Sequence, residues 1–304
     1  MPRPLPLSLS VAVLVAGLST FAQLSYAETC RFTYQPSRVG DEALQTIHTH
    51  LKLTVTMHQA GQTIDSLKQD IDSKQKRRLT VLSRNQQRVL SARVVFLTCE
   101  QETNTNGQAD PLVEDPVVGK TYVVARPHQQ LIVTYEDGRE PPEEEVKIVR
   151  ANVDGIGRPN SLARFFDGRT MAVGESVKLP SELASELIGF AESIGKITRF
   201  EMKLVGIRQI EPAESDTAQK RNRRGAVLDV SIEAGQPETD GMKMRIRGQV
   251  LMEVDTCRTH TAEFSGPVAV IEHRGPPGYQ FTVSGHGQLH VAIRSESTHL
   301  AGNF

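Results

Sequence analysis

Tryptophan is absent from this 304-residue chain, and aromatic residues make up only 5% of it. That scarcity argues against an outer-membrane barrel, whose strands carry aromatic girdles at both membrane interfaces. Charge of one sign is not in excess either: 35 Lys+Arg stand against 36 Asp+Glu, a formal net charge of −1. Such a balance argues against a dedicated nucleic-acid binder, which generally needs a strongly positive face. After the first 27 residues no apolar run approaches the ~20 residues of a membrane-spanning helix. Cysteine is scarce as well, with only Cys30, Cys99 and Cys257.

What is present begins with an export signal. Met1 to Ala27 reads as a secretory signal peptide, with one positive charge at Arg3 and an apolar stretch from Leu7 to Phe21. Small residues, Ser25 and Ala27, stand at −3 and −1 of the expected cleavage site. Cleavage leaves 304 − 27 = 277 residues, near −2 in net charge once Arg3 is gone. The expected location is therefore secreted or periplasmic, where thiols tend to pair. Three cysteines allow one bridge and one free thiol, and spacing alone does not choose among three pairings. Their placement in one half of the chain favours Cys30–Cys99. None of the three has a neighbouring His or helix start to stabilise a thiolate, so the cysteines read as structural rather than catalytic.

The mature chain is dominated by period-two alternation. Leu51, Leu53, Val55 and Met57 alternate with Lys52, Thr54, Thr56 and His58, the pattern of a half-buried strand. Ala60-Gly61-Gln62 then marks a hairpin turn, and strands are expected over Ile64–Val81 and Val89–Thr98. Gln101 to Pro116 reads as a loop, and the acidic run from Glu140 to Glu145 as a solvated connector. Helical signals are confined to the middle. Pro159-Asn160-Ser161 opens a short helix through Phe166, and Pro180 opens a second over about 180–194. Alternation then returns over Ile197–Ile210, Val227–Ala234, Lys243–Asp255, Thr259–Ile271 and Tyr279–Ile293.

The expected fold is therefore mainly β (α+β): antiparallel meanders of long curved strands with one or two central helices. Residues 28–158 form an N-terminal β-rich block, and 159–304 a C-terminal block with the helix and a second meander. Arg38-Val39-Gly40-Asp41 opens the first run of long strands and Ala172-Val173-Gly174-Glu175 the second. These Val-Gly-acid steps admit a reading as two half-barrel-like repeats.

Candidate chemistry is sparse. His48 and His50 lie two apart on an expected strand, so both imidazoles face one way and are weak candidates for a metal ion. His286 and His290, four apart, would stand roughly 13 Å apart along a strand, too far for one ion. Val283-Ser284-Gly285-His286-Gly287 lacks the first glycine of a nucleophile elbow. Gly155-Ile156-Gly157 runs into Arg158-Pro159, which blocks the helix start that a dinucleotide fingerprint requires. No catalytic residue and no cofactor is expected. Two basic runs, Lys74 to Arg78 and Lys220 to Arg224, read as charge on exposed strand edges that discourages sheet-to-sheet aggregation.

In the patterns of residues 30–295 the chain resembles periplasmic lipid- and lipoprotein-carrier proteins. In its Val-Gly-acid steps and Gly-bounded terminal strands it resembles uncharacterised secreted bacterial β-rich proteins. The first resemblance implies a curved sheet, closed by a helix, that holds an acyl chain. The expected function is then an exported, non-catalytic envelope protein binding a lipid or other apolar ligand. Leu51, Leu53 and Val55 would lie on its concave face, with Val250, Met252 and Val254. The alternative is an interaction module with a fully packed core; the carrier needs a continuous apolar cavity of roughly several hundred Å³ and the module does not.

Overall fold

The period-two alternation does produce strands, and they join into one sheet. A computed structural model describes residues 28–86, 88–111, 113–127, 130–188, 197–211, 223–235, 241–275 and 280–298. In chain order the first half holds β1 (Thr29–Arg31), β2 (Glu42–Gln59), β3 (Gln62–Arg84) and β4 (Val89–Thr105). Two-residue strands β5 (Gln108–Ala109) and β6 (Val113–Glu114) follow, then β7 (Thr121–Ala125), β8 (Ile132–Tyr135) and helix α1 (Glu143–Val153). The second half opens with α2 (Ser161–Phe166), β9 (Thr170–Ala172), β10 (Ser176–Lys178) and α3 (Ser181–Ile188). It continues with β11 (Ile197–Ile210), β12 (Arg223–Ala234), β13 (Gly241–Glu253), β14 (Thr259–Arg274) and β15 (Phe281–Thr298).

Thirteen of these strands form an antiparallel sheet in the order β10-β11-β12-β13-β14-β15-β2-β3-β4-β7-β8, with β5 and β6 paired on β4. Each half is a meander in sequential order. They merge because β15 pairs with β2 from Phe281↔Gln59 to Thr298↔Glu42. The sheet is curved and does not close into a barrel, so the mainly β, antiparallel, meandering fold expected from the sequence is the fold observed. Strands β1 and β9 form a separate pair.

Both Val-Gly-acid steps fold into the same turn. The Arg38 amide donates to Asp41 Oδ2 at 2.8 Å and the Ala172 amide to Glu175 Oε2 at 3.0 Å. In each, the acidic residue's amide returns a bond to the first carbonyl. The glycine takes a left-handed φ, +86° at Gly40 and +96° at Gly174, a conformation that glycine alone adopts without strain.

One face of the sheet is apolar, and helices cover it at both ends. At one end Phe200, Met202, Leu204, Leu228, Ile246 and Met252 are buried with Phe166, Leu179 and Ala184 of the α2–α3 region. At the other, Val94, Phe96, Tyr122 and Val124 are buried with Val149 and Val153 of α1. Helix α1 is a departure from expectation, since the acidic run was read as a solvated connector ending at Glu145. Its first turn carries Glu143, Glu144 and Glu145, where the helix dipole favours negative charge. Its buried positions are Glu145, Val149 and Val153. Spaced by four, they make a helical stripe that one carboxylate disguises.

Loops differ in extent too. Strand β4 runs on to Thr105, into the stretch read as loop. The helix expected over 180–194 is described from Ser181 to Ile188; its expected remainder lies outside the described residues.

Candidate functional site: an open apolar strip

Between the two covered ends, the same apolar face continues across β14, β15, β2 and β3. The register stacks Val268, Gly287, Leu53 and Gln69 in one cross-strand row, and Val270, Gly285, Val55 and Leu67 in the next. A third row places Gly266, Leu289, Leu51 and Ile71 together. Leu51, Leu53, Val55, Met57, Leu67 and Leu289 are all half-buried, neither sealed in a core nor fully in water. Leu51 and Leu289 pack against the α2–α3 core, so the strip runs out of that core without a break. The residues expected on the concave face do share a face, but unequally. Val250, Met252 and Val254 are sealed, whereas Leu51, Leu53 and Val55 stay half-buried.

Three glycines shape the strip. By alternation Gly248, Gly266 and Gly287 all lie on the apolar face, yet a Cβ at each would run into neighbouring backbone. It would stand 1.8 Å from Glu263 O at Gly248, 2.1 Å from Arg245 O at Gly266 and 1.9 Å from Lys52 O at Gly287. The ladder between β13 and β14 is interrupted there, passing from Met244↔Val268 to Arg247↔Ser265. A carbonyl where a side chain would stand means that the neighbouring strand rises on the apolar side. The sheet therefore folds towards that side at the β13–β14 and β15–β2 junctions, a use of strand glycine that permits close backbone approach.

The opposite face is ionic. His48 and His50 do lie on one side of β2, as their spacing predicts, but each imidazole has a carboxylate of its own. His48 Nε2 stands 2.8 Å from Asp72 Oδ2 and His50 Nε2 2.6 Å from Asp70 Oδ1. The bond from His48 and the nearby Lys74 hold the Asp72 carboxyl below its ordinary range. His290 stands opposite His50, and His286 opposite Thr54. Among the described residues no group of three His, Cys, Asp or Glu is arranged to hold a metal ion. Two clefts, of about 550 and 770 Å³, are lined largely by chains of this ionic face. Arg199, Glu201 and Arg247 border the first, and Lys52, Asp70 and His286 the second. Charged side chains border both, so neither is the continuous apolar cavity expected of a carrier, although the second also takes in Leu53 and Val268 of the strip.

Two buried polar groups anchor α1 over its end of the sheet. Glu145 accepts from Lys120 Nζ at 2.7 Å, Tyr122 Oη at 2.6 Å and Tyr135 Oη at 2.8 Å. Burial pushes its carboxyl up, but the three donors outweigh that and leave it below the ordinary carboxylate value. Burial and the adjacent Glu145 push the Tyr122 hydroxyl far up. Arg77 is the second anchor. Its Nε donates to Gln45 Oε1 at 3.0 Å and its Nη1 to the Asn152 carbonyl in the last turn of α1, where orphan carbonyls favour a cation. Burial lowers its guanidinium to about 10. The reading of Lys74 to Arg78 as an exposed edge is thus corrected: β3 is an interior strand, and Gln75 and Arg77 are buried while Lys74, Lys76 and Arg78 are exposed. Of the second basic run, Lys220 to Asn222 lie outside the described residues, and Arg223 and Arg224 open β12.

The expected Cys30–Cys99 pair is not brought together. All three thiols are free and buried, with Cys30 and Cys257 in the α2–α3 core and Cys99 in the α1 core. Burial and a hydrogen bond to Asp115 raise Cys99 to about 11.

No family model matches this chain, and no curated protein matches it. Two solved structures are similar in outline. One, described as lipid–protein interactions in lipovitellin, has a TM-score of 0.37 at 7% identity, covering 89% of this chain and 26% of its own. The other is the outer membrane protein OprG from Pseudomonas aeruginosa, with a TM-score of 0.19 at 8% identity, covering 88% of this chain and 100% of its own. The chain thus spans about a quarter of the lipovitellin chain.

Proposed function

We propose that this protein is an exported, non-catalytic carrier that holds an acyl-chain amphiphile along the open strip of β14, β15, β2 and β3. The observation that supports this reading is the half-buried aliphatic surface continuing out of a sealed core. Water contact along such a surface costs about 25 cal/mol per Å² of apolar area, so an occupant gains by covering it. Two features favour an acyl chain over a protein. Strands β14, β15 and β2 lie between paired neighbours and β3 is paired on both sides from Gln69 onward, so over that part of the strip no partner can add as a further strand. The side chains of the strip's three rows are Leu, Val and Ile with one Gln, whereas protein interfaces draw their binding energy from Trp, Tyr and Arg. Strands of 18 residues extend about 60 Å, ample for a lipid tail.

Native mass spectrometry of the purified protein tests this, followed by denaturing extraction and incubation with a fluorescent fatty acid. A bound lipid mass, or saturable uptake of the probe, is expected. Leu53→Asp and Val55→Asp should each weaken uptake at least tenfold, by placing a charge in the strip. His48→Ala, on the ionic face, should leave uptake unchanged, and far-UV circular dichroism verifies that each variant folds. A clean apo mass with no uptake of the probe overturns the carrier reading and leaves an interaction module.

A further inference from the structure

Three segments distant in the chain converge around two of the cysteines. The Thr33 amide donates to the Val254 carbonyl at 2.9 Å, and the Val254 amide to the Arg224 carbonyl at 2.9 Å. Cys30 lies three residues before Thr33. Cys257 lies three after Val254, in a turn closed by its own amide donating to Glu253 O at 2.9 Å. Both are 2% exposed and belong to one core cluster, with Phe32, Met252 and Val254. They are close enough to interact electrostatically: Arg224 acts on Cys30, and Cys30 acts on Cys257. Cys257 also holds φ at 54°, a left-handed conformation that costs a non-glycine residue about 1 kcal/mol or more, so the position asks for a reason to keep its side chain. Cys99 is engaged elsewhere, with Asp115 Oδ2 2.5 Å from its sulfur and Gln75 Nε2 at 3.4 Å.

We propose that Cys30 and Cys257 are joined in a disulfide when the chain folds under oxidising conditions, leaving Cys99 as the free thiol. The oxidant is a small-molecule or protein disulfide, such as oxidised glutathione. One cysteine thiolate attacks it, forming a mixed disulfide and releasing one glutathione thiolate. The second cysteine thiolate attacks the protein-bound sulfur and releases the other. The protein loses two protons and two electrons, which the glutathione disulfide gains on becoming two thiols. In the folded reduced protein both thiols are buried, and burial pushes Cys257 up to about 12. The exchange therefore belongs to folding, before the core closes, because the thiolate is the nucleophile. The bridge ties β1 to the β13–β14 turn and closes most of the chain into one loop, where the entropic effect of a crosslink is largest.

The test is refolding of the denatured, reduced full chain in a glutathione redox buffer, with alkylation of free thiols and peptide mapping. A product two hydrogens lighter is expected, with Cys30 and Cys257 in one linked peptide and Cys99 alkylated. Reduction should lower the Tm by roughly 10 °C. Cys99→Ser should keep the link, and Cys30→Ser should abolish both the link and the reductant-sensitive part of the Tm. A linked peptide containing Cys99, or three alkylated cysteines at equilibrium in the oxidising buffer, overturns the assignment.

Discussion

Gly287→Ala is expected to destabilise the protein by about 3 kcal/mol or more, while Gly285→Ala, two residues away on the same face, changes stability by less than about 1 kcal/mol. Sequence context does not separate the two, because both are glycines of β15 facing the apolar side. Their surroundings do. The added methyl at Gly287 would stand 1.9 Å from the Lys52 carbonyl oxygen, so the backbone of β2 must move. At Gly285 it would stand 3.5 Å from Leu53 Cδ1 and 3.8 Å from Val270 Cβ and Val55 Cγ2, ordinary contact distances. There the loss of glycine's conformational freedom in the unfolded chain works in favour of alanine. Gly248→Ala and Gly266→Ala should behave like Gly287→Ala, since they meet Glu263 O and Arg245 O in the same way. Urea unfolding of the four variants checks the pattern. Equal, mild effects at Gly285 and Gly287 would refute the claim that the sheet folds through its glycines.

Glu145→Ala should cost about 3 kcal/mol, and the unfolding midpoint of the wild-type protein should fall as pH drops below about 4.5. The alanine leaves the Tyr122 hydroxyl without its acceptor, although that residue is fully buried, and an unsatisfied buried donor is costly. Lys120 loses the same partner but reaches water, so it adds less. Glu145→Gln keeps an acceptor and removes the charge, and should cost about 1–2 kcal/mol. The pH dependence follows from the direction of the shift. The carboxyl is held below its ordinary 4.5 in the folded protein, so above that value both states are ionised and the contribution is complete. As pH falls through the folded value the native carboxylate takes up a proton and the contribution disappears. Urea midpoints from pH 7 to 3 measure this, and Glu145→Gln should flatten the slope. A slope unchanged by the substitution would assign the acid sensitivity to other carboxylates.

These two effects belong to different physics, and both bear on the proposed carrier. The glycines determine how far the sheet folds towards its apolar face, and the Glu145 network holds the helix that seals one end of that face. Loosening either should change the shape of the strip, and Glu145 does so from outside it, without touching a residue that lines it.

Much of this architecture was legible in the chain. Alternation in β2 named Leu51, Leu53 and Val55 as one face, because side chains on a strand alternate by geometry alone. The Val-Gly-acid steps, read in the sequence only as the openings of two repeats, fold into turns for an equally local reason: the glycine takes a positive φ, and the carboxylate returns to an amide three residues back. His48 and His50 were rightly placed side by side. Their partners Asp72 and Asp70 come from β3 through a register that depends on the whole hairpin. Helix α1 was missed because a glutamate occupies one of its three buried positions, and only the approach of Lys120, Tyr122 and Tyr135 makes that position tolerable.

The amino-acid order by itself determined the strands, their turns and the apolar face, since each depends on neighbours a few residues apart. Tertiary structure alone decided that β15 closes onto β2, that Arg77 is buried under α1 and that Cys30 lies with Cys257. It also decided that the apolar face stays open over its middle four strands. Each of these depends on pairing across tens to hundreds of residues, where periodicity carries no information about which partner arrives.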